Sequence, residues 1–164
     1  MERKIELKSV FTAFDKVEEL NETDRDLVAA ARKAAADAYA PYSEFQVGAV
    51  LRLEDGTLIH GNNQENASYS LGLCAERVAL FAAGANHPGK KIVAMAITAH
   101  SPNFEINRPI APCGACRQAI AEYEHRYRQP IRLILTGEKG EILVAESIEG
   151  LLPLQFTADD LTSK

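Results

Sequence analysis

The chain has 164 residues, with 18 Lys and Arg against 23 Asp and Glu, for a formal charge of −5. An apolar share of 46% and a charged share of 25% are those of an ordinary globular domain, which excludes wholesale disorder. The longest apolar run, Ile92 to Ile97, falls far short of the ~20 residues a bilayer span needs, and an acidic chain without a Lys/Arg cluster lacks the footprint of a polynucleotide binder.

Elements follow one another without repeats or long linkers, so one domain is expected. Ile5 to Phe14 alternates as a strand does. Thr23-Asp24-Arg25-Asp26 reads as a capping box opening a helix through the Ala-rich run Leu27 to Ala40, which Pro41 stops. Phe45, Val47, Ala49, Leu51 and Leu53 mark a half-buried strand. Asp55-Gly56 then predicts a type I′ hairpin turn into a returning strand, Leu58 to Gly61. A polar segment, Asn62 to Tyr69, leads to a helix from Cys74 to Gly84. Lys91 to Thr98 reads as a buried strand, Cys113 to Glu124 as a helix, and Ile131 to Thr136 and Ile142 to Ala145 as two further strands. Strands alternating with helices after a hairpin imply an α/β fold, a mixed β-sheet covered by helices on both faces.

The 3 cysteines are too few for a disulfide scaffold. The opening Met1-Glu2-Arg3-Lys4 leads into alternating polar residues rather than an apolar export segment, so a cytoplasmic protein with free thiols is expected. Cys74-Ala75-Glu76 and Pro112-Cys113-Gly114-Ala115-Cys116 each open a predicted helix, where unpaired amides favour thiolate over thiol. Three thiolates fill three positions of a tetrahedral zinc ion, and an open fourth position distinguishes catalytic from structural zinc. Glu76 would then stand beside the metal without ligating it. Arg77 would offset the sulfurs' charge by hydrogen-bonding them.

This arrangement resembles the zinc deaminases, whose signature joins a Cys or His two residues before a Glu to a later P-C-x-x-C. Tyr42-Ser43-Glu44-Phe45-Gln46-Val47-Gly48-Ala49, Asn63-Gln64-Glu65-Asn66-Ala67, Cys74-Ala75-Glu76-Arg77 and the closing Leu151-Leu152-Pro153 with Phe156 are similar to the homotetrameric cytidine deaminases of free nucleosides. The resemblance covers the chain from about Arg25 onward. It implies a three-layer fold and the hydrolytic deamination of cytidine and 2′-deoxycytidine to uridine and 2′-deoxyuridine with release of ammonia, a step of pyrimidine salvage. The attacking group would be zinc-bound hydroxide.

The resemblance also implies roles residue by residue. Cys74, Cys113 and Cys116 bind Zn2+, and Glu76 is the proton shuttle. Phe45 lines the base pocket, Asn63 and Glu65 hold the ribose hydroxyls, and the amide of Ala75 meets the pyrimidine O2. Tyr69 and Phe156 reach a neighbouring subunit's site, so the partners expected are a nucleoside and further copies of the chain, with no nucleic acid and no membrane. Residues 1–22 precede the usual start of these enzymes and are expected to add an edge strand to the single deaminase domain 23–164; the connection Ala99 to Ala111 is long for the family.

Blander readings exist for each motif. Cys113-Gly114-Ala115-Cys116 alone would suit a thioredoxin-like redox pair. A closed structural zinc site would take His100 or His125 as fourth ligand. Phe45 alone would be core, and Asn63 and Glu65 alone ordinary turn residues.

Overall fold

In a computed structural model the described residues are 1–161. The elements run β1 (Thr12–Phe14), α1 (Glu22–Ala36), β2 (Gln46–Leu53), β3 (Leu58–Asn62), α2 (Ala75–Asn86), β4 (Ile92–His100), α3 (Gly114–Tyr127), β5 (Arg132–Leu135) and β6 (Ile142–Ala145). They build one mixed sheet in the order β1-β6-β5-β4-β2-β3. Only the β4–β5 pairing is parallel; the other pairs are antiparallel.

Alternation along the strands divides the core in two. Ala49, Leu51, Met95, Ile97, Leu133 and Leu135 face α2 and α3 through Ala79, Leu80 and Ile120. Val50, Ala94, Ala96, Ile134 and Val144 face α1 through Leu27, Val28 and Ala31. Helices therefore cover both faces, as the sequence pattern implies. Among the described residues no helix is long and apolar enough to cross a membrane.

Two glycines set how closely the helices approach. A Cβ on Gly48 would lie 2.0 Å from the carbonyl oxygen of Ala31 in α1, and one on Gly61 would lie 2.4 Å from that of Ala75 in α2. Asp24, 1% exposed, fixes α1 further by pairing with Arg132 Nε on β5 at 3.0 Å.

Local structure departs from the sequence pattern in four places. Helix α1 starts at Glu22, not beyond Thr23: Asn21 is the cap, its Oδ1 accepting from the amide of Asp24 at 2.8 Å. The helix stops at Ala36 because the backbone of Tyr39 is taken by the segment after β3, its amide donating to the Asn63 carbonyl and its carbonyl accepting from Glu65. Strand β1 is confined to Thr12–Phe14, since β6 offers partners only from Ile142 to Val144 there, and Ile5, Leu7 and Val10 stay exposed. The hairpin turn has a positive φ at Gly56 but not at Asp55, so it is a type I turn followed by a left-handed glycine rather than type I′.

Candidate active site

Both cysteine motifs sit at helix starts. Cys74 is the N-cap of α2 and Cys113 the N-cap of α3, each with extended backbone, while Cys116 lies on the first turn of α3 and is fully buried. The three sulfurs converge: Cys74 Sγ is 3.9 Å from Cys113 Sγ, which is 3.5 Å from Cys116 Sγ, and all three lie within 4.8 Å of one another. A tetrahedral zinc ion with Zn–S bonds near 2.3 Å holds its sulfurs roughly 3.8 Å apart, so the spacing fits. Soft thiolate donors select zinc over harder cations. Among the described residues no other His, Cys, Asp or Glu joins this group. His100 pairs instead with Glu138 and His125 with Asp159, which removes both proposed fourth ligands of a closed site. Convergence of the third sulfur likewise disfavours an isolated redox pair.

Charge at the cluster is uneven. Hydrogen bonding from Cys116, and then from Arg77, holds the Cys74 thiol well below the usual thiol range, while the neighbouring Cys74 thiolate and burial push Cys116 up. Arg77 Nη2 donates to Cys74 Sγ at 3.8 Å, the contact expected from its place after Glu76. Glu76 itself is 4% exposed, and burial pushes its carboxyl above the ordinary carboxylate range. A buried carboxyl whose pKa is raised holds its proton more readily than a free one, the property a proton carrier beside a metal site requires.

Beside the sulfurs opens a cavity of about 670 Å³, within the span usual for small-molecule sites. Phe45, Asn63, Glu65, Tyr69, Cys74, Glu76 and Cys113 all line it. Asn63 is held on every side: Oδ1 accepts from the amide of Val47 at 2.7 Å, and Nδ2 donates to the carbonyl of Phe45 at 2.9 Å. Glu65 Oε2 accepts from the amides of Tyr42 and Ser43 at 2.8 and 3.3 Å, and Oε1 from the Ser43 hydroxyl, which together keep its carboxyl ionised below the ordinary range. Ala75 is fully buried at the first position of α2, where amides have no partner within the helix.

Tyr69, 82% exposed, stands at the rim in an edge contact with Tyr42. Phe156 does not line the cavity: its carbonyl accepts from Gln118 Nε2 on α3 and its ring is exposed. Wall residues outside the motifs are Gly72, Leu73, Ile110 and Ala111, while Tyr42 and Val47 lie within a motif that assigned them no role. Ile110 and Ala111 arrive through the irregular connection before α3.

Known proteins agree with this geometry. The profile of the cytidine and deoxycytidylate deaminase zinc-binding region matches residues 21–128, spanning all three cysteines. A cytidine deaminase of Halalkalibacterium halodurans is 45% identical over 82% of this chain and 95% of its own length. One from Sporosarcina psychrophila is 42% identical over 83% of this chain and 93% of its own. The crystal structure of cytidine deaminase from Burkholderia pseudomallei superposes with a TM-score of 0.70 at 45% identity, covering 80% of this chain and 97% of that one. Since the profile runs through both halves of the sulfur cluster and the relatives match along nearly their whole length, the chain belongs to the cytidine deaminase family.

Proposed function

We propose that the protein hydrolyses cytidine, and with it 2′-deoxycytidine, to the corresponding uridine and ammonia. The observation that carries this reading is the buried Glu76 beside three converged thiols, opening on a cavity of nucleoside dimensions. Zinc held by Cys74, Cys113 and Cys116 supplies Lewis acidity, drawing the pKa of a water down toward neutrality. Glu76 takes a proton from the attacking water and delivers it to N3 of the ring, which makes C4 electrophilic as the C4–O bond forms. The same carboxyl then carries the proton of the new C4 hydroxyl to the exocyclic nitrogen, so that the C4–N4 bond breaks as the C4=O bond forms and ammonia leaves. Arg77, by donating to Cys74, tempers the charge that three thiolates would otherwise place on the metal.

The remaining roles concern placement. Phe45 walls the base, and the first-turn amide of Ala75 donates to the pyrimidine O2. Asn63 and Glu65 are offered to the ribose hydroxyls, both pre-set by their bonds to the backbone of residues 42–47. Groups committed to a sugar reject the bare base, because its absence leaves them unpaired. Tyr69 and Phe156, each exposed, are assigned to a neighbouring copy's cavity in a homotetramer. Residues 1–22 extend a single domain, 23–164, with Leu20 buried against α1's side of the core. Three free thiols fit a reducing, cytoplasmic setting.

Ammonia release by the zinc-loaded protein tests the reading, with cytidine and free cytosine as parallel substrates. Release from cytidine alone is expected. No release from cytidine with zinc bound and the fold intact overturns it.

A further inference from the structure

Thirteen residues, 101–113, separate the end of β4 from the start of α3. Connections of that length without regular structure are uncommon in compact domains unless they serve a purpose. This one is anchored at its base. Ile106, buried, donates its amide to Glu138 Oε2 at 2.8 Å, and its carbonyl accepts from the amides of Glu138 and Lys139 at 2.8 and 3.2 Å. The two backbones touch so closely that a Cβ on Gly137 would lie 2.5 Å from the Ile106 carbonyl oxygen.

From that base the loop reaches across to the turn preceding β2. Asn103 Nδ2 donates to Glu44 Oε2 at 2.7 Å, and the Phe104 ring stacks on Phe45 with centroids 6.4 Å apart and planes 26° from parallel. Glu44 holds a left-handed φ of 55°, a conformation that costs a non-glycine residue and persists only where neighbours enforce it. That residue decides the direction in which Phe45, next along the chain, enters the cavity. Phe104 remains 59% exposed and is no part of the cavity wall, so burial does not account for an aromatic ring there.

We propose that Asn103 and Phe104 form a brace that fixes the Phe45 ring in the nucleoside cavity, the one through the backbone of Glu44 and the other by stacking. Both are positioning residues, and the specificity they serve rests on the function proposed above. A brace of this kind affects how well the base is held, not the chemistry at Glu76.

Phe104→Ala is the test. Loss of one aromatic stack is worth roughly two- to tenfold in an equilibrium constant, so the KM for cytidine should rise within that range. The kcat and zinc content should stay within about twofold, since the variant leaves α2 and the sulfurs untouched. Phe104→Tyr keeps the stack and should restore KM. In a Phe45→Ala background, Phe104→Ala should add nothing, because the group it positions is gone. Fluorophenylalanine placed at position 45 gives a readout independent of turnover: its fluorine resonance should shift and broaden in Phe104→Ala and not in Phe104→Tyr. An unchanged KM, a full additive effect in the Phe45→Ala background, or an unmoved fluorine resonance each overturns the brace. If the unsubstituted protein fails to turn over cytidine, the substrate assignment falls instead, and the fluorine resonance alone decides the brace.

Discussion

Replacing Asn63 by Ala separates two roles that one side chain performs. The resemblance makes Asn63 a ribose ligand, but its geometry also makes it a clamp on the start of β2. Oδ1 accepts from the Val47 amide and Nδ2 donates to the Phe45 carbonyl, while its own backbone amide donates to Val47 and its carbonyl accepts from Tyr39. The alanine variant keeps the backbone bonds and loses both side-chain bonds. Each is worth about 1 kcal/mol net, and the half-buried Val47 amide left without an acceptor adds a desolvation cost, for a total of roughly 2–3 kcal/mol. In a chain of this size that lowers Tm by roughly 4–12 °C. Urea unfolding of the zinc-loaded protein at fixed concentration measures the loss, and steady-state kinetics with cytidine should show a raised KM in parallel. Asn63→Asp sharpens the comparison: it can still accept from the Val47 amide but no longer donates to the Phe45 carbonyl, so any stability it regains over the alanine variant reports the Val47 bond. An alanine variant that unfolds with the parent while KM rises would refute the clamp and leave only the ribose contact.

Other substitutions carry separate expectations. Glu76→Gln is a neutral isostere at a buried site, so zinc content and unfolding midpoint should hold while kcat falls by roughly 10²–10⁴-fold; metal analysis beside kinetics checks it. Glu124, whose carboxylate accepts from the amides of Ile131 and Ile148 and the hydroxyl of Ser147, is pushed above the ordinary range chiefly by burial. Its contribution is fullest at pH values below the unfolded carboxyl's pKa and is lost as pH rises through the folded one. Glu124→Gln keeps both amide acceptor bonds and should flatten that pH dependence, whereas Glu124→Ala strands two amides of buried residues and should cost about 2–4 kcal/mol by denaturant titration.

What the sequence revealed and what it hid divide along physical lines. Strand β2 was readable from the alternation of its apolar residues and β4 from its continuous apolar run, which the sheet buries almost entirely, while Cys74 and Cys113 were readable because each falls at the start of a helix. The start of α1 was misplaced by two residues although its signal was present: Asn21 and Asp24 stand at capping-box spacing and bond each other, while Thr23 merely donates its hydroxyl to Asn21. The end of α1, the shortness of β1 and the Asn103–Glu44 and Phe104–Phe45 contacts depend on partners 20 to 130 residues away, which local pattern does not encode. Phe45 was legible as a pocket residue through its motif, but what steadies it was not.

Topology explains why the two cysteine motifs meet, and it supplies a decisive comparison. Strands β3 and β4 both run antiparallel to β2, and β5 runs parallel to β4, so α2 and α3 each leave the carboxyl end of a strand pointing the same way. Their N-termini consequently converge beyond one rim of the sheet, the place where α/β sheets bind ligands, and bring partial positive charge to the same thiolates. How near α2 stands to that rim is set by Gly61, whose added Cβ would lie 2.4 Å from Ala75 O and 2.7 Å from Ala79 N. Gly61→Ala must push outward the turn that carries Cys74, Ala75 and Glu76. Gly48→Ala meets an equally hard contact, 2.0 Å from Ala31 O, but on the opposite face and against α1. Overpacking should cost both variants about 1–3 kcal/mol of stability. Only Gly61→Ala should also lose zinc affinity and kcat, because only there does the displaced helix bear a ligand and the proton carrier. Equal losses of zinc and turnover in the two variants would show that general destabilisation, not the seating of α2, governs the site.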